Sequence, residues 1–141
     1  MDQQDVTKSN QPQYYRFQLF QGQRNALGKL EKTKTVGMAY LKEGHDTYTI
    51  RLWTFLNDKF FLLMNKNDSS RFLVMSREAN KNTQSKNKYF WNVIGNGKAL
   101  SSQNCIELRF DLFEKPIYMN IFPEANVSSV LLPEDGIKAA A

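Results

Sequence analysis

Val36–Met64 reads VGMAYLKEGHDTYTIRLWTFLNDKFFLLM, and the pattern within it decides the fold. Three apolar runs rich in β-branched and aromatic residues, VGMAYLK, TYTIRLWTF and KFFLLM, are parted by the short breaks EGHD and LND. Such runs joined by tight turns are the signature of an antiparallel meander. Successive strand residues point to opposite faces. In Thr47–Phe55, Tyr48, Ile50 and Leu52 therefore share a core face, and Thr47, Thr49, Arg51 and Trp53 share the other. The second face sets a cation beside a large aromatic and is read as surface. Lys59–Met64 is apolar on both faces, which implies a strand covered on both sides.

The same pattern extends outward from this centre. Tyr14–Phe20 (YYRFQLF) is expected as the first strand, with Tyr15, Phe17 and Leu19 on one face and Arg16 and Gln18 on the other. Gln21–Lys34, weakened by Gly22 and Gly28, reads mainly as a connection carrying Arg24, Lys29, Lys32 and Lys34. After the turn Asn65–Ser70, Arg71–Arg77 is a further strand. Glu78–Lys88 (EANKNTQSKNK) is polar throughout except for Ala79, and is read as a mobile Lys-rich loop. Tyr89–Ile94 resumes β structure and is expected to end in a turn at Gly95-Asn96-Gly97. Ile106–Leu112 alternates cleanly, placing Ile106, Leu108, Phe110 and Leu112 inward. Glu114-Lys115-Pro116 turns the chain, and Ile117–Phe122 is the last strand.

About eight short strands with frequent turn signals predict an all-β fold, a small antiparallel barrel or sandwich, with an OB-like barrel favoured. Three parts are expected. Residues 1–13 form a disordered, polar N-terminal segment, 14–123 a single β domain, and 124–141 a C-terminal tail whose Val130, Leu131 and Leu132 are a candidate docking peptide.

Composition narrows the function. At 141 residues, 41% hydrophobic and 13% aromatic, the chain is large enough for one packed core without disulfides or a structural metal. The net charge is +5 and the pI about 9.3, a balance that favours acidic partners such as nucleic acid. A single cysteine, Cys105, precludes an intrachain disulfide and is expected to act as a small buried hydrophobe. The first residues, MDQQDVTKSNQPQ, lack the apolar centre of a signal peptide. No run of about 18 apolar residues marks a membrane span, and a cytoplasmic location is expected.

Catalytic constellations are sparse. Acid–base and nucleophilic chemistry needs a base held beside its partner. The one histidine, His45, lies in the turn Glu43-Gly44-His45-Asp46, where a solvated side chain is the ordinary outcome. One Cys and one His fall short of a zinc ligand set. Glu107 and Asp111 flank Arg109 on one strand face, and ordinary surface polarity accounts for them better than a cation site does. Gly95-Asn96-Gly97-Lys98 lacks the GxxxxGK spacing and the Ser or Thr of a phosphate loop. No catalytic residue, metal or cofactor is expected.

One pattern points to binding, namely cations interleaved with aromatics in Tyr14-Tyr15-Arg16-Phe17, Arg51-Leu52-Trp53 and Lys88-Tyr89-Phe90-Trp91. Single-stranded nucleic acid is held by rings that stack on bases, with cations tracking the phosphates. Most of the ten Phe, six Tyr and two Trp must nonetheless serve the core. The candidates are those that share a face or a segment with a cation: Tyr14, Arg16, Arg51, Trp53, Lys88, Tyr89 and Trp91, with Lys81 and Lys86 forming a basic flap. The expected function is binding of single-stranded DNA or RNA. The alternative is a protein–protein interaction or homo-oligomeric assembly module, since strand edges and surface aromatics suit such partners too. An enzyme with a small-molecule substrate is the weakest reading, and a membrane-surface role lacks a basic amphipathic helix.

Overall fold

The computed structural model describes residues 13–124. Residues 1–12 and 125–141, and with them the expected disordered N-terminal segment and the docking peptide Val130–Leu132, lie outside the described residues. Eight strands follow one another: β1 (Tyr14–Arg24), β2 (Leu30–Lys42), β3 (Thr47–Leu52), β4 (Phe60–Met64), β5 (Arg71–Ala79), β6 (Tyr89–Leu100), β7 (Cys105–Phe110) and β8 (Ile117–Asn120). Short 3-10 turns at Trp53–Phe55 and Ser101–Gln103 are the helical elements among the described residues. None is long and apolar enough to cross a membrane.

Each strand pairs antiparallel with the next, and β8 returns to β1 through Leu19↔Met119 and Phe20↔Tyr118. The sheet is thus a closed up-and-down ring, which settles the choice between barrel and sandwich. It also corrects the preference for an OB-like barrel. That type has five strands and a Greek-key return, whereas here short connections make every sequence neighbour a spatial neighbour.

Alternation fills the interior. Leu19, Ala39, Ile50, Leu62, Val74, Leu108 and Met119, one from each strand except β6, are fully enclosed. In β6 the inward positions are Gly95 and Gly97. They are not the turn expected from sequence, because β6 runs unbroken through them. The reason is tertiary. A Cβ on Gly95 would meet the Arg109 carbonyl oxygen at 2.2 Å, and one on Gly97 would meet Phe72 Cβ at 3.0 Å. Close backbone approach is a second use of glycine in a strand, distinct from a turn.

Two further expectations are corrected. Leu112 lies beyond the end of β7 and is 76% exposed, so it does not point inward. Gln21–Lys34 is a hairpin, not a loose connection. β1 runs to Arg24, and the tip is closed by Asn25, whose Oδ1 accepts from the backbone N–H groups of Leu27 and Lys29. Register shifts after Leu19 and after Gln21 turn this hairpin away from the ring. It packs on the outside of the barrel, where Phe20 and Leu30 meet Tyr118, Cys105 and Leu100. The Leu30 N–H donates to Gln103 Oε1 at 3.1 Å. The segment lacks a core pattern because Leu30 faces the outer wall and Leu27 sits exposed at the tip.

Burial pushes the Tyr40, Tyr48 and Tyr118 phenols above their ordinary value of 10.0 and the Cys105 thiol above 9.0. A raised value in the fold means that the unfolded chain loses these protons first, so stability falls as pH rises. Chemical denaturation at a series of pH values should show the loss beginning near pH 9 and growing through the tyrosine range. A flat profile there would contradict the burial. Gly95→Ala should lower stability by about 2–3 kcal/mol through overpacking, read as a lower denaturation midpoint. An unchanged midpoint would return Gly95 to a turn.

Candidate nucleic-acid interface

β5 and β6 outlast their other partners. β4 follows β5 only as far as Phe61↔Met75, and β7 follows β6 only as far as Gly95↔Phe110. Residues 76–79 and 89–92 consequently pair with each other alone and project from the ring as a two-stranded ribbon. At its base the register steps from Val74↔Gly95 to Met75↔Val93. The extra residue, Ile94, makes a bulge, which sharpens twist and re-aims the side chains beyond it.

Beyond that step, Arg77 stands opposite Trp91 and Ala79 opposite Tyr89. The Arg77 guanidinium lies 4.1 Å from the Tyr89 ring centroid, 4.7 Å from that of Phe61 and 5.8 Å from that of Trp91. Phe61 and Trp91 meet edge to face at 5.3 Å, and Tyr89 and Trp91 at 6.4 Å. A guanidinium over a ring face contributes about 0.5–2 kcal/mol, so the three rings are held as a set around one cation. Phe61 is buried beneath this set, which explains why β4 reads as apolar on both faces. Tyr89, Phe90, Trp91 and Val93 remain 38%, 53%, 46% and 57% exposed.

The tip adds charge. Lys81, Lys86 and Lys88 are exposed on the loop 80–88. Asparagines organise that loop. The Asn80 N–H donates to the Lys88 carbonyl at 2.9 Å and Asn80 Nδ2 to that of Asn87 at 2.9 Å. Asn80 Oδ1 accepts from the Asn82 N–H, and Asn82 Oδ1 from that of Gln84. Ribbon and tip together carry four cations, Arg77, Lys81, Lys86 and Lys88, against the single carboxylate Glu78.

Of the residues singled out from sequence, the fold therefore gathers Lys81, Lys86, Lys88, Tyr89 and Trp91 in one place. It does not gather the others. Tyr14 and Arg16 lie on β1, diametrically across the ring of eight from β5. There Arg16 Nε is 3.7 Å from a Glu124 carboxylate oxygen, with the guanidinium 6.0 Å from the Tyr40 ring. Trp53 is 51% exposed but has left β3 for a 3-10 turn, where it borders a shallow cleft with Gln21 and Lys34. Arg51 is a correction. It occupies the outward face of β3 as expected, yet it is buried at 6% exposure. Its Nη1 donates to the carbonyls of Leu56 and Asp58 at 2.9 and 3.0 Å, so it ties down the β3–β4 connection and is not displayed to a partner.

Arg77, Phe61 and Phe90 are residues that sequence reasoning missed. Arg77 alternates with Met75 on the outward face of β5, which was readable. Its place opposite Trp91 depends on the bulge at Ile94, which was not.

The groups considered for catalysis are dispersed. His45 lies in the β2–β3 turn, its backbone N–H donating to the Lys42 carbonyl. Cys105 is buried in the outer cluster. Glu107 Oε1 accepts from Arg109 Nε at 3.0 Å. Among the described residues no three His, Cys, Asp or Glu side chains converge on a metal-sized site. No protein-family model, curated protein or solved structure matches the chain.

Arg51→Met should lower stability by about 1–3 kcal/mol, because the buried guanidinium that ties the Leu56 and Asp58 carbonyls to β3 is lost. Oligonucleotide affinity, measured well below the melting temperature, should stay at the parent value. Unchanged stability with lost affinity would return Arg51 to the interface.

Proposed function

We propose that the protein binds single-stranded nucleic acid along the β5–β6 ribbon. The observation that carries this reading is the joint display of Tyr89 and Trp91, held around Arg77, at the foot of a tip bearing Lys81, Lys86 and Lys88. Stacking needs ring faces that are exposed yet fixed, and here cross-strand contacts fix them before a base arrives. Ordering rings in advance reduces the entropy lost on binding. Phosphates follow the lysines, which attract the strand over a distance set by salt. Stacking tolerates any base, so the expected behaviour is broad sequence tolerance with strong salt dependence.

A second reading rests on a specific feature of the same ribbon. Ring closure pairs most of the strand edges, but residues 76–79 and 89–92, like the β1–β2 hairpin on another wall, outrun their neighbours and keep their outer edges open. Those unpaired edges, with Phe90 and Val93 exposed, suit strand addition by a protein partner or a second copy.

Fluorescence anisotropy with a labelled thymidine oligonucleotide of about 12 residues, repeated over a series of salt concentrations, separates the two. Trp91→Ala should weaken binding by about 5- to 150-fold with little change in salt slope. Replacing Lys81, Lys86 and Lys88 together by Gln should flatten the slope of log K against log salt by about 2. Absence of binding at low salt, with a solution mass above that of the monomer, would overturn the nucleic-acid reading in favour of assembly.

A further inference from the structure

The barrel has a mouth. At the end where β3 leads to β4 and β7 leads to β8, the ring is capped incompletely by four phenylalanines. Phe55 and Phe113 stack at 6.1 Å, Phe110 and Phe113 approach at 5.5 Å, and Phe60 meets Phe55 and Phe110 edge to face at 6.3 and 5.6 Å. Beside this cap lies a cleft of about 550 Å³. Its walls are Leu52, Phe55, Phe60, Ile94 and Phe110, and its rim carries the exposed Val93 and Leu112. A second cleft of about 420 Å³ shares Leu52, Leu112 and Phe113 with the first, so Phe113 and its neighbour form the partition between them. Volumes of this order at the mouth of a β-barrel match those that take small ligands, and an eight-stranded ring is wide enough to accept one such molecule at its end.

Charge decides which kind of ligand. The ionisable residues bordering the larger cleft are Asp58 and Asp111, joined by the hydroxyl residue Ser76. Among the described residues the ionisable groups in this lining are both carboxylates, in a chain of net charge +5, and the neighbouring Arg51 guanidinium is engaged by the Leu56 and Asp58 carbonyls behind it. We propose that this cleft binds a small amphiphilic cation, with an apolar body against the phenylalanine cap and a protonated amine toward Asp58 and Asp111. Apolar burial supplies most of the affinity, roughly 25 cal/mol per Å² removed from water. The two carboxylates supply the preference for charge, strengthened by the low-dielectric wall beside them. The site adjoins the base of the ribbon, where Ser76, Val93 and the bulged Ile94 line it, and does not include the Arg77, Tyr89 and Trp91 set.

The test uses the full chain and the neutral dye N-phenyl-1-naphthylamine, which brightens in apolar surroundings. Dodecylamine and dodecanoate, both below their micellar concentrations at neutral pH, are the competitors. The expected result is one saturable dye site from which dodecylamine displaces the dye at a concentration about tenfold lower than dodecanoate does. That order runs against the net charge of the protein, which by itself would draw in the carboxylate. Ile94→Trp, which fills the cleft, should abolish dye binding. Val93→Trp at the rim serves the same purpose if circular dichroism shows that Ile94→Trp does not fold. Asp58→Asn combined with Asp111→Asn should keep the dye site and bring the two competitors to equal potency. No saturable dye site in the parent, dye binding that survives a folded cleft-filling variant, or displacement by dodecanoate at least as strong as by dodecylamine would each overturn the proposal.

Discussion

Closure of the ring is the constraint from which the rest of the molecule follows, and it rests on two residue pairs. Leu19↔Met119 and Phe20↔Tyr118 join the first strand to the last. On the inner side of this junction, Leu19 and Met119 are fully enclosed. On the outer side, Phe20 and Tyr118 stack at 5.8 Å. Both faces of the seam are thus sealed by apolar contact as well as by backbone hydrogen bonds. To bring the two ends of the sheet together the strands must coil tightly, and glycine permits it. Gly37 on β2 and Gly95 on β6 would each drive a Cβ to 2.2 Å from a carbonyl oxygen of the following strand. These two strands lie across the ring from each other, so the close approaches fall on opposite walls. Closure in turn satisfies the strand edges that an open eight-stranded sheet would expose to aggregation.

A closed ring leaves long hairpins with two fates, and the molecule shows both. The β1–β2 hairpin bends back and buries Phe20 and Leu30 against the outer wall. Those two side chains find partners within the chain, while Leu27 at the tip stays exposed. The β5–β6 ribbon has no wall to lie on beyond Phe61. It gathers its rings around the Arg77 guanidinium, which satisfies their faces without covering them fully. Both hairpins carry lysines, but only the second joins them to exposed, fixed aromatics. That difference in packing, rather than any difference in composition, makes the ribbon the candidate surface.

Alternation was legible in the sequence wherever one face of a strand met the core and the other met water. Thr47–Leu52 and Ile106–Phe110 fold with the inward residues that parity assigns. Parity distinguishes two faces but does not say what covers the outer one. Arg51 was assigned to the correct face and is nonetheless buried, because the β3–β4 connection folds over it and offers two carbonyls. Gly95-Asn96-Gly97 carries a strong local turn signal, and the demand for close strand approach overrides it. The basic-aromatic run at Lys88–Trp91 was visible as a local pattern. Its completion by Arg77 was not, because it comes from another strand through a register that one bulged residue sets. Tyr14 and Arg16 show the same pattern locally and are isolated across the ring, so local interleaving of cations and aromatics is not sufficient for this kind of surface.

The central claim is that the ribbon, and no other aromatic surface, receives the nucleic acid. The chain has two tryptophans, Trp53 in the β3–β4 connection and Trp91 on the ribbon, and their indole N–H signals report the two surfaces independently. Titration of isotope-labelled protein with a short thymidine oligonucleotide, followed by two-dimensional nitrogen–proton NMR, is the most direct test. The account predicts that the Trp91 indole and the backbone amides of residues 77–92 shift progressively to saturation while the Trp53 indole stays in place. Shifts centred on Trp53 or on Tyr14 and Arg16, with the ribbon unmoved, would contradict it.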